Sequence, residues 1–222
     1  MAAGVKLGIV APLRSAAEKD YLRRLARGLA DGGYRVCVFG IGDLPTKKAK
    51  NGWGTVELRT FRVRSPKRWA YAPGLAAALD ASALDMVLSH DIRAFPATIV
   101  TRWHNKTKQP KRPFIVFQPE KITTWAKDTY SASKRWAEMI YENSHLEESA
   151  CIRVETREEA DAIEVYGLQN PMAILPNPNP NPPSAEAWEK FNAELRAVCD
   201  WVLGKGPKPV CVEGDLKVIE PL

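Results

Sequence analysis

The chain alternates between short apolar runs and amphipathic stretches. VKLGIVA (Val5 to Ala11) is a buried-strand run, and EKDYLRRLARGLADGGY follows it with Tyr21, Leu22, Leu25 and Leu29 at helical spacing. Gly32 and Gly33 supply a helix stop, and YRVCVFGIG reads as a second buried strand. Strand, helix and strand in that order make a βαβ unit, which implies a parallel sheet with ligands near the carboxyl ends of its strands.

The same rhythm predicts a strand in TVELRTFRV, a helix in PGLAAALDAS, a strand in LDMVLSH and a helix from Ala94 to Thr107. PFIVFQP is a further strand, and a long helix is expected from about Tyr130 to Glu148. Strand ACIRVET, helix REEADAIEVYG and strand MAILP complete about seven strands with interleaved helices. The predicted fold is α/β: a single Rossmann-like, doubly wound, mainly parallel sheet with a C-terminal helix packed back on it.

The alternation stops at PNPNPNPP. Proline removes backbone donors, so residues 177–183 are expected to form an extended strap. Beyond it, Trp188, Phe191, Leu195, Val198, Cys199 and Val202 lie on one stripe of a helix from Ser184 to Leu203 that must dock on something. The organisation expected is a domain over 1–176, the strap over 177–183, the docked helix over 184–203 and a loosely attached tail over 204–222.

Composition narrows the chemistry. With 222 residues, 45% of them hydrophobic, the chain can bury a core, and no stretch approaches a membrane span. MAAGVKLGIVAPLR lacks the apolar run and cleavage site of a signal peptide, so a cytoplasmic location is expected. Cys37, Cys151, Cys199 and Cys211 show no C-x-x-C spacing and read as mostly buried thiols; no metal site is expected. No dinucleotide fingerprint, Walker loop or nucleophile elbow is present, which argues against a self-contained small enzyme, and no cofactor is expected.

A formal net charge of +6 favours an anionic partner. The densest basic run, RWHNKTKQPKRP, carries Arg102, Lys106, Lys108, Lys111 and Arg112. It reads as a solvated loop or as a patch for an anionic membrane surface, with Trp69, Trp103 and Trp125 at the lipid interface. Nucleic acid is not expected as a partner, since only the charge speaks for it and no groove-reading or single-strand motif is present.

Order and motifs together resemble the bacterial glycosyltransferases of family 4, which have the GT-B architecture of two Rossmann-like domains facing a cleft. YLRRLARGLADGGYRVCVFG is similar to their first helix and second strand, and LDMVLSHD to their strand ending in a histidine. FIVFQPEKITTWAKD resembles their Ser-Pro-His-Gly segment with its following Trp, and ETREEADAIEVYGLQNPMAILPNP the end of their N-terminal domain. WEKFNAELRAVCDWVLGKGPKPVCV resembles the helix that crosses back from the C-terminal domain. The resemblance implies an acceptor-side half of a retaining, nucleotide-sugar-dependent enzyme of polysaccharide or glycolipid synthesis. It also implies that the donor domain and its Glu-x7-Glu motif are missing, so that the half is inactive without another chain.

The same resemblance places the diphosphate loop at Arg14, Ser15, Ala16 and Ala17, where alanines stand for the family's glycine pair. Ser15 also reads as a helix N-cap. The family's reacting-centre histidine aligns with Glu120, so no catalytic residue is carried over. Acceptor or ligand contacts are expected from His90, Asp91, Glu120, Lys121 and Trp125; His90 also reads as a cap of the next helix. Lys127, Lys134 and Arg135 are candidates for an anionic acceptor or solvated helix charge, while His104 and His145 read as surface residues. Expected partners are a sugar acceptor, a donor-domain chain or other protein, and an anionic membrane at whose inner face the protein would sit. The alternative function is a non-catalytic module that binds a membrane surface, a sugar ligand or a protein.

Overall fold

A computed structural model describes residues 4–42, 52–64, 70–90, 95–106, 112–117, 143–165, 167–178 and 184–216. The chain divides into two compact units, Met1–Phe114 and Ile115–Leu222. Its strands are mainly parallel with helices between them, the α/β class that the alternation predicts.

The first unit contains β1 (Lys6–Pro12), α1 (Ala16–Asp31), β2 (Arg35–Ile41), β3 (Glu57–Phe61), α2 (Leu75–Ala81), β4 (Met86–His90) and α3 (Phe95–Asn105). Its strands lie in the order β3-β2-β1-β4, each neighbouring pair parallel. The register sets Val10 beside Phe39 and Ser89, and Ile41 beside Phe61, so the strands reach their carboxyl ends together. β1 and β2 are buried on both faces, as their continuous apolar runs require. α1 covers them with Leu22, Leu25, Ala26 and Leu29.

The second unit contains β5 (Phe114–Phe117, its first residue at the boundary), α4 (Asn143–Glu147), β6 (Cys151–Val154), α5 (Arg157–Val165), β7 (Met172–Ile174), α6 (Ala185–Val202) and β8 (Val212–Glu213). β5, β6 and β7 are parallel neighbours. The expected helix from about Tyr130 to Glu148 falls outside the described residues except for α4, and so does the strap over 179–183.

Two expectations change here. The tail is not loose over its described length: β8 pairs antiparallel with β7, setting Val212 beside Ala173, and Ile174 N–H donates to the Cys211 carbonyl at 2.8 Å. Arg157 of α5 forms an ion pair with Glu213, and Lys208 bridges to Asp215. The run is too short for an alternating pattern to reveal it, because a two-residue strand contains one period. His145, read as a surface residue, is 3% exposed in the packing of α4.

α6, within the second unit, buries the predicted stripe, extended by Trp201. Ser184 caps it, its hydroxyl accepting from Ala187 N–H at 3.3 Å. The buried Arg153 of β6 lies between the rings of Phe117 and Phe191, 5.8 and 5.7 Å from their centroids, while its Nη1 donates to Glu155 at 3.0 Å. Thus one guanidinium ties α6 to the ends of β5 and β6. Leu195→Ala, at a fully buried position of this helix, is expected to destabilise the chain by about 3 kcal/mol in urea denaturation. The exposed Lys190→Ala should stay within about 0.5 kcal/mol of the parent.

Candidate functional site

Four parallel strand ends meet on one edge of the first unit, where open α/β sheets hold their ligands. The loop after β1 is fixed there by close packing. Leu13 N–H donates to the Ile41 carbonyl at 2.8 Å, and Leu13 is 1% exposed. Gly40 and Gly42 make room for it: a Cβ at Gly40 would overlap the Leu13 side chain, and one at Gly42 would overlap the Leu13 carbonyl. Gly42 N–H in turn donates to Phe61 of β3 at 3.0 Å.

From Leu13 the chain passes directly into α1. Ser15 is the N-cap, its hydroxyl accepting from Glu18 N–H at 3.1 Å. The Glu18 carboxylate reaches back to accept from Ser15 N–H at 3.0 Å and from Arg14 N–H at 2.5 Å. This capping box places a negative charge at the positive end of the helix dipole. Two of the backbone donors in the loop that the resemblance assigns to a diphosphate are thereby engaged by the chain's own carboxylate. Ala16 and Ala17 form the first turn beside them, and the Arg14 side chain is exposed.

His90 closes β4 on the same edge. Its ring lies 5.2 Å from that of Tyr21, which projects from α1, so the structure brings His90 and the first turns of α1 together. Next along the edge, Tyr71 and Phe95 form an edge-on aromatic pair with centroids 5.7 Å apart. They are 44% and 37% exposed, large values for such side chains. Arg64 N–H donates to the Tyr71 carbonyl at 2.9 Å, which holds the segment after β3 beside that pair. Asp91, Glu120, Lys121 and Trp125 lie outside the described residues, as do Lys127, Lys134 and Arg135.

The basic run resolves differently from its sequence reading. Arg102 is exposed and Lys106 pairs with Asp80, but the Arg112 guanidinium lies 4.6 Å from the ring centroid of Trp103. Trp103 is 2% exposed and belongs to the core, not to a lipid interface. His104 is likewise buried, with Nδ1 2.8 Å from the Arg112 carbonyl and its ring edge-on to Phe114. Trp69, Lys108 and Lys111 lie outside the described residues.

Sequence reasoning missed Leu13, Gly40, Gly42, Glu18, Tyr71 and Phe95. Glu18 had a signal, since Ser15-Ala-Ala-Glu18 is the spacing of a capping box. The glycines and Leu13 had none, because their contact joins two strand ends distant in sequence. Among the described residues no cluster of three or more His, Cys, Asp or Glu side chains is placed to hold a metal, and no helix is long and apolar enough to cross a membrane.

Comparison with known proteins finds solved structures of similar fold. The Anabaena protein Alr3699/HepE, solved in complex with UDP and glucose, is 13% identical, with a TM-score of 0.52 over 76% of this chain and 44% of that one. Phytolacca americana UGT2, complexed with UDP-2fluoro-glucose and pterostilbene, is 11% identical, with a TM-score of 0.49 over 80% of this chain and 55% of that one. The first likeness carries the fold alone, Rossmann-like and of GT-B type. This chain spans about half the length of these structures. The model of the glycosyl transferase 4-like domain matches residues 19–178, and the chain belongs to that family. No curated protein matches it.

The cysteines supply no nucleophile to this edge. Burial pushes the Cys37 and Cys151 thiols up to about 12 and also raises those of Cys199 and Cys211. At pH 8 all four are therefore held as thiols in the native chain. A disulfide reagent at that pH is expected to modify Cys211, the half-exposed one, first; Cys37, Cys151 and Cys199 should react only after denaturant is added. Prompt native labelling of Cys37 would contradict this packing.

Proposed function

We propose that the chain is the acceptor-side half of a retaining, nucleotide-sugar-dependent glycosyltransferase of polysaccharide or glycolipid synthesis, inactive without a donor-binding partner chain. One observation carries the reading. The family match runs to residue 178, and the helix beginning at Ala185 sets Phe191 against Arg153 of β6 in the same unit. In this reading residues 1–176 are the acceptor domain, 177–183 a strap across the place of a donor domain, 184–203 the returning helix and 204–222 the tail.

Acceptor binding is assigned to the strand-end edge of the first unit. His90, steadied by Tyr21, offers a ring nitrogen to a sugar hydroxyl, and Asp91 is a further candidate contact from sequence; Glu120, Lys121 and Trp125 belong to the second unit and are candidate ligand contacts from sequence alone. Orientation of that hydroxyl is the contribution such a half makes to transfer, while stabilising the departing diphosphate falls to the other half. The engagement of Arg14 and Ser15 N–H by Glu18 agrees with that division of labour. The membrane-binding module is the less favoured reading, because Trp103 and Arg112 are spent on the core. Purified chain incubated with UDP-glucose and a mixed set of oligosaccharides should release no UDP above background. Robust turnover by the chain alone would overturn the proposal.

A further inference from the structure

Among the described residues, Arg153 is the one arginine, lysine or acid that is buried, at 4% exposure. A guanidinium keeps its charge at any ordinary pH and presents its N–H donors in one plane. Glu155 takes one corner of that plane, through Nη1. Nε and Nη2 are buried and meet no hydrogen-bond partner among the described residues. The large majority of buried donors in folded proteins are paired, because an open one costs free energy. A methionine would fill the same space without that cost. The charge therefore points to a complement from outside the chain.

The two open donors belong together. Nε–H and one N–H of Nη2 leave the same edge of the guanidinium in parallel, at the spacing of two oxygens of a carboxylate or phosphate. The rings of Phe117 and Phe191 flank the group and favour its charge, but offer no oxygen to that edge. Arg153 is also placed where parallel sheets hold ligands. It is the penultimate residue of β6, level with Phe117 at the end of β5 and with Ala173 of β7. We infer that the Nε–Nη2 edge of Arg153 is a binding site for the carboxylate or phosphate group of a small ligand, with Glu155 fixing the guanidinium from the other corner. Neither donor is open to solvent, so the side chains over them move as the ligand enters.

The test is a titration of the isotopically labelled intact chain with acetate, glucuronate, inorganic phosphate and glucose 1-phosphate, at constant ionic strength made up with chloride. The signal is the arginine Nε–H resonance that Arg153→Lys removes. Either the carboxylates or the phosphates should shift it saturably, which also says which group the site takes, and the same ligand should raise the urea midpoint. Arg153→Lys keeps the charge but loses the paired edge, and should weaken that ligand about tenfold, read from the urea midpoint against concentration. Arg153→Met should be no less stable than the parent in chloride, and its midpoint should ignore the ligand. A midpoint that rises equally in the parent and in Arg153→Met would report a general salt effect and overturn the inference. An Nε–H resonance unmoved by all four ligands would overturn it too, as would undiminished binding by Arg153→Lys.

Discussion

The strand-end edge of the first unit depends on the close approach of Leu13 to Gly40 and Gly42. A side chain at either glycine would displace the loop after β1, and that loop sets where α1 begins. Interiors packed to crystal-like density do not absorb such a displacement, so α1, Tyr21 and through it His90 all inherit their places from this fit. Without it the four strand ends would still be parallel, but the groups upon them would not converge.

The start of α1 shows how a familiar loop acquires a different use. A helix N-terminus attracts an anion because its first N–H groups lack partners and its dipole is positive there. In this chain Glu18 is that anion. The engagement is intramolecular and requires no ligand, so the helix starts at a fixed point whether or not a sugar nucleotide is present.

Much of the fold was legible because its elements are long and periodic. The apolar runs of β1 and β2, and the stripe from Trp188 to Val202, each repeat a period several times, and burial follows them. β8 escaped because two residues carry no pattern. Trp103, His104 and His145 were misplaced for a related reason: a polar ring near lysines resembles a surface residue until its hydrogen-bond partner is seen. His104 finds that partner in the Arg112 carbonyl. At the candidate site, Ser15 and His90 were readable from where their elements begin and end. Tyr71, Phe95 and the Leu13 fit depend on contacts between segments far apart in sequence, which no local window contains.

In the proposed reading this edge holds an acceptor, and the chain's own Glu18 carboxylate fills the loop that would otherwise take a diphosphate. The direct measurement is a titration of isotopically labelled chain with UDP, followed through the backbone amide resonances of Arg14 and Ser15. Both amides should remain unshifted to the highest UDP concentration, because Glu18 already accepts from them. Saturable shifts of both would show that a diphosphate displaces Glu18, and would contradict the account.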